Sequence, residues 1–222
     1  MAPAPPSCYT APPVSLFVTF EGIEGSGKSS HLRALAARLR SAGHDVVETR
    51  EPGGTPAGQA LRRLLLGAEA VPLEPLTELY IYCADRAQHV AEVIRPALRA
   101  GRVVLCDRFS DSTLAYQGHG RGLDLETIRA LDALARDGVR PDLTFLFDLP
   151  VGEGLRRASA RGDGGDRFEH APTDFHERVR TGFHALAAAE PDRFRLLDST
   201  PPAAEVQARV LAETRRRLEG AA

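Results

Sequence analysis

Residues 22–29 read Gly22-Ile23-Glu24-Gly25-Ser26-Gly27-Lys28-Ser29. That spacing, G-x-x-x-x-G-K-[ST], suits a chain of phosphates. Glycines let the backbone curl into a concave nest with its amides pointing inward. A helix beginning at the same place adds the partial positive charge of its N-terminus. Lys28 is then placed to reach the β- and γ-phosphates, and Ser29 to ligate Mg²⁺. The bland alternative is a glycine-rich surface turn that matches by accident. The basic residues elsewhere weigh against it: of 28 lysines and arginines, only Lys28 is a lysine. The wide planar fork of arginine does not replace a compact ammonium among phosphates.

Three other clusters bear on chemistry. Cys106-Asp107-Arg108 closes an apolar run, where an open parallel sheet presents its ligand crevice. Asp107 there can organise Mg²⁺ through water, with Arg108 facing the phosphates; alone, the pair reads equally well as a surface ion pair. Thr49-Arg50-Glu51-Pro52-Gly53-Gly54-Thr55 follows another apolar run, and its tight turn aims Arg50 and Glu51 at the same crevice, with Arg62 on the next helix. Tyr82 and Arg86 sit four apart on one predicted helix face, able to stack a base and bond its carbonyl edge. Taken alone, that pair is more often core plus a snorkelling charge.

The elements that must hold these residues alternate along the chain. Strands are predicted at Leu16–Phe20, Asp45–Thr49, Val103–Cys106, Leu143–Phe147 and Arg195–Leu197. Helical patterns fall at about 28–42, 56–66, 75–99, 124–136, 150–160, 172–189 and 202–218. Alternation of this kind predicts an α/β domain with a parallel sheet. The run LFVTF is apolar throughout, as expected of a strand covered on both faces. Residues 1–13 are Pro/Ala-rich and read as a flexible tail, leaving 14–222 as a single domain. Residues 159–170, SARGDGGDRFEH, read as a mobile polar loop.

Composition narrows the function classes. A formal charge of −2 gives no global case for a nucleic-acid partner. Three cysteines without paired spacing suit reduced thiols in the cytoplasm. No segment is apolar enough to span a membrane, and prolines interrupt any signal-peptide core. The chain contains no asparagine, so the guanine-reading Asn-Lys-x-Asp of a GTPase is excluded.

Five segments occur in order: FEGIEGSGKSS, TREPGGTPAG, YIYCADRAQH, CDRFSDSTLAYQG and RPDLTFLFDLP. Together they resemble the bacterial thymidylate kinases over about residues 15–217, and the REPGG and AYQG segments are specific to that family. The resemblance implies a P-loop NTP hydrolase-like three-layer α/β/α fold: a five-stranded parallel sheet flanked by helices, with a lid at about 154–170. It implies transfer of phosphate from ATP to dTMP, giving dTDP, with Mg²⁺, on the route to dTTP. A cytoplasmic homodimer is implied, with no nucleic-acid or membrane partner.

By the same resemblance, residues Gly22 to Gly27, Lys28, Ser29 and Ser30 bind ATP together with Arg157 and Arg161. Tyr82, where the family usually has Phe, lies against thymine. Arg86 bonds O4, and Thr113 and Gln117 complete the base edge. Tyr116 crowds the sugar 2′ position, and Glu24 lies near the acceptor's sugar and phosphate. Arg62 and Arg108 hold that phosphate, and Glu51 orients the acceptor side. The variable P-loop residues include no arginine, so the chain resembles the group whose catalytic arginine comes from the lid. Arg167 is favoured for that role and Arg161 for stacking on adenine; one relative has a further lid arginine where this chain has Ser159. Two rival readings stand beside this one: an adenylate- or cytidylate-type kinase, and a P-loop protein without catalysis.

Overall fold

The computed structural model describes residues 15–67, 72–160, 168 and 171–221. Five strands form one parallel sheet: β1 Leu16–Glu21, β2 Val46–Arg50, β3 Val103–Asp107, β4 Leu143–Asp148 and β5 Phe194–Asp198. Their order is β2-β3-β1-β4-β5, so the first strand lies at the centre. All six residues of β1 are buried, which is why its sequence is apolar on both faces. Burying Leu16, Phe17, Val18 and Phe20 contributes on the order of 10 kcal/mol before chain entropy is subtracted.

Helices cover both faces. Against one lie α1 Lys28–Ser41 and α9 Ala203–Ala221, whose Leu32, Leu35, Val206 and Val210 pack on Leu16, Val18 and Phe20. Against the other lie a π-helical turn, Val90–Ile94, and α4 Arg95–Arg99, which together continue the rod begun by α3 Pro75–His89; α2 Pro56–Leu66 packs on α3. Val90, Ile94 and Ala97 of that rod pack on Phe17, Val104 and Cys106. The remaining helices are α5 Ser110–Thr113, extended by π-helical Leu114–Gly120, then α6 Leu125–Arg136, α7 Val151–Ser159 and α8 Thr173–Ala189.

Local sequence explains several boundaries. Thr55 caps α2 by accepting the Gly58 amide at 2.9 Å, with Pro56 in the first turn. Asp124 caps α6 through the Thr127 amide at 2.8 Å. Each predicted strand is present. Arg50, expected just after the second strand, is its last residue. The helical segment 110–120 is an element that periodicity did not announce, because FSDSTLAYQGHG carries no 3.6-residue apolar repeat. The tail, residues 1–13, and most of the 159–170 loop lie outside the described residues; Phe168, within that loop, is buried against Tyr116 with ring centroids 5.4 Å apart.

Candidate active site

The 22–27 loop joins the central strand to α1. Gly25 has φ +72°, and a β-carbon there would sit 2.1 Å from the Gly154 carbonyl of α7. Gly22, at φ +135°, is held as tightly against the Phe147 carbonyl. Gly27 starts α1 without a side-chain cap, and no acidic residue occupies the helix's first turn. The first amides of α1 therefore lack a side-chain acceptor at a positive helix end, the arrangement that attracts an anion. Lys28 folds back over the loop, its Nζ donating to the Ile23 carbonyl at 2.7 Å and to Ser26 Oγ at 3.3 Å. Burial and then the nearby Arg108 lower its pKa to about 8, against the opposing pull of Asp107, Glu24 and Glu21.

Strand pairing brings the second cluster alongside. Phe20 of β1 is in register with Asp107 of β3, so the tip of β3 ends beside the start of the loop. Ser29 Oγ donates to Asp107 Oδ2. Among the described residues no group of three or more His, Cys, Asp or Glu could hold a metal by itself. The hydroxyl and carboxylate of Ser29 and Asp107 form instead a small, hard oxygen set beside the phosphate nest. That fits Mg²⁺, which takes few protein ligands and fills the rest with phosphate oxygens and water.

Arg108 has φ +70°, a left-handed conformation costing about 1–2 kcal/mol in a residue with a β-carbon. In it the guanidinium bonds the Gly22 carbonyl at 3.0 Å, Ser112 Oγ at 3.1 Å and Glu24 Oε1 at 3.0 Å, lying 5.0 Å over the Tyr116 ring. Tyr116 Oη also donates to Glu24 Oε1, at 2.5 Å. The other Glu24 oxygen lies 3.4 Å from His176 Nδ1. Burial would raise the Glu24 carboxyl; His176, Arg108, Lys28 and the Tyr116 hydroxyl outweigh it and leave the pKa at about 2. Glu21 anchors this region from below, accepting the Phe109 amide at 2.7 Å and Ser112 Oγ at 2.5 Å. Burial, then the charge of Asp111, pushes its carboxyl well above the usual range.

On the opposite wall, Arg86 is the largest fully buried side chain. Its Nε donates to Glu51 at 2.9 Å, Nη1 to Asp132 at 3.0 Å and Nη2 to Thr113 Oγ1 at 2.9 Å. Glu51 was expected to face the crevice. It does border that crevice, with both oxygens bonded to α3: one takes Arg86, and the other His89 Nδ1 at 2.9 Å, while His89 Nε2 meets Thr49 Oγ1 at 2.6 Å. Because a carboxylate only accepts, His89 carries its proton on Nδ1. Arg62 Nη1 holds the Pro52 carbonyl at 2.9 Å. Gln117 Nε2 donates to the buried Glu78 at 2.6 Å.

One cavity of about 650 Å³ joins the two walls. Glu24, Gly25, Gly27, Lys28, Ser29, Ser30, Asp107 and Arg108 line one side, and Glu51, Arg62, Tyr82, Arg86, Thr113, Tyr116 and Gln117 the other. Gly22, Ile23 and Ser26 shape the loop beneath. Arg157 does not reach the cavity: it bonds Glu153 at 2.6 Å and the Ser199 carbonyl at 3.1 Å. Arg161 and Arg167 lie outside the described residues. Sequence reasoning missed Glu21, Glu78, Asp132 and His176, each placed by a contact remote in sequence.

Comparison with known proteins follows the same lines. The family model described as thymidylate kinase matches residues 20–210. A thymidylate kinase of Desulfovibrio desulfuricans is 53% identical over 215 residues, covering 92% of this chain and 99% of that protein. One from Pseudomonas fluorescens is 56% identical over 192 residues, covering 86% and 91%. The crystal structure of a thymidylate kinase from Ehrlichia chaffeensis superposes with a TM-score of 0.75 at 37% identity, covering 91% of this chain and 99% of that one.

Proposed function

Since the chain belongs to the thymidylate kinase family, we propose that it transfers the terminal phosphoryl group of ATP to dTMP, giving dTDP. What carries the reading to the level of a site is the single cavity lined by the phosphate loop and by a buried arginine–amide wall. Donor and acceptor can meet only in such a shared space.

In this reading the loop amides and Lys28 hold the ATP phosphates. Thymine lies against Tyr82, with Arg86, Thr113 and Gln117 along its polar edge. Tyr116 and Glu24 border the sugar. Arg62 and Arg108 hold the acceptor phosphate, and Glu51 acts indirectly, by fixing Arg86. No general base is required, because the attacking phosphate oxygen is already an anion near neutral pH. The barrier is repulsion between two polyanions, so the work of the site is alignment and neutralisation. Mg²⁺, held through Ser29 and Asp107, supplies further positive charge at the phosphates. Arg161 and Arg167 complete that charge from the lid, the loop itself having no arginine. Arg157, tied to Glu153 and Ser199, supports the base of the lid.

A coupled assay of ADP release with dTMP, dUMP, AMP and CMP tests the reading. Turnover is expected for dTMP, more weakly for dUMP, since one methyl group is worth about 1–3 kcal/mol. Turnover of AMP or CMP above dTMP would overturn it. Omission of Mg²⁺ should abolish the dTMP reaction. The enzyme acts in the cytoplasm as a homodimer; support for the dimer comes from Leu64, Leu76, Tyr80 and Leu134, exposed on the consecutively packed α2, α3 and α6.

A further inference from the structure

We propose that Glu78 is a positioning residue for base selection: it locks the Gln117 amide with its carbonyl oxygen toward the acceptor pocket, so that the pocket takes a pyrimidine carrying N3–H and rejects cytosine. The inference rests on the reading of this cavity as the dTMP site.

Glu78 lies in the first turn of α3 and is completely buried. One of its oxygens receives Gln117 Nε2 at 2.6 Å, and the other faces Arg121 Nη2 at 3.3 Å. Arg121 is itself held over the Phe168 and Phe175 rings, 5.5 and 5.4 Å from their centroids. A carboxylate beside a guanidinium offers only acceptors, so the nitrogen of the Gln117 amide must turn to it. The planar amide then carries its oxygen on the opposite edge, and Gln117 borders the cavity. Its neighbour on that wall, Arg86, has only donors to offer and is linked to it through Thr113 of the same helical segment.

The wall thus reads donor then acceptor. Thymine and uracil present the complement, the O4 acceptor beside the N3–H donor. Cytosine presents the reverse, an N4 amino donor beside the N3 acceptor. An amide free to flip would satisfy either N3; one held by Glu78 satisfies only N–H. A mismatch in a buried site leaves polar groups unpaired, which is where selectivity becomes large.

The test measures kcat/KM for dTMP, dUMP and dCMP in wild type, Glu78→Gln and the swapped pair Glu78→Gln/Gln117→Glu. The amide introduced at position 78 can donate or accept, so Gln117 gains a second orientation. The dCMP-to-dTMP ratio should rise about tenfold or more in the single variant, with the dUMP-to-dTMP ratio unchanged. The swapped pair restores an acceptor-only edge at 117 and should return the ratio to its wild-type value. A uniform fall for all three substrates, or a ratio that does not move, would overturn the proposal. A ligand test needs no variant: wild type should bind the 3-deaza analogue of dCMP, which lacks the N3 lone pair, about tenfold more tightly than dCMP. Equal binding of the two would overturn it independently. Absence of dTMP turnover in wild type would instead overturn the functional reading on which the inference stands.

Discussion

At the scale of single residues, the site is defined by where charge is placed and what holds it. Lys28, with its pKa near 8, should be drawn upward by the phosphates of ATP, so binding at pH 8 should take up about half a proton. Calorimetry in buffers of different ionisation enthalpy measures this directly; proton release would contradict it. Lys28→Ala should reduce kcat/KM by at least about 10²-fold with the fold unchanged by circular dichroism. Glu24 behaves in the opposite sense. Its folded pKa of about 2 lies below the ordinary 4.5, so it contributes stability above pH 4.5 that is lost as pH falls through 2. The contribution is on the order of 3 kcal/mol. Tyr116→Phe removes one of its donors, and should cost about 1–3 kcal/mol and move acid unfolding to higher pH in urea titrations.

At the scale of elements, the phosphate loop and α7 are packed backbone to backbone at Gly25 and Gly154. A β-carbon at Gly154 would lie 2.7 Å from the Glu24 carbonyl and 2.9 Å from Ile23 Cδ1. Gly154→Ala should therefore displace the loop, weakening ATP about tenfold and lowering stability by about 1–3 kcal/mol; titration calorimetry and thermal unfolding read the two effects. Elements were also the most legible level of the sequence. The central strand declared itself because burial on both faces demands an unbroken apolar run, and the loop because its glycines have no substitute. The 110–120 segment did not, since a π-helical turn has no apolar period of its own. Nor did the partners of its residues: Asp132 lies 46 positions from Arg86 and Glu78 lies 39 from Gln117. Such pairs are created by packing α3 against α6 and the π-helical segment, and no local pattern records them. Glu51 does border the crevice, as its sequence context implied, but its bonds to Arg86 and His89 are tertiary and left no local sign.

At the scale of the whole molecule, the sheet order puts the loop-bearing strand between β3 and β4, so the carboxyl ends of neighbouring strands deliver the loop and Asp107 to one crevice. The exposed side chains of α2, α3 and α6 lead to a prediction at this scale. Sedimentation should give twice the 24.0 kDa chain mass, and Tyr80→Arg with Leu134→Glu should shift it to the single-chain value. A wild-type mass of one chain would remove the case for the dimer. The basic inventory of the molecule has a practical outcome as well. Every positive side chain but one is built on guanidinium, and the exception is buried in the phosphate nest. Isotopically labelled lysine would thus yield a single ε-ammonium resonance for the entire enzyme, a spectrum of one line whose position follows the nucleotide through binding, transfer and release.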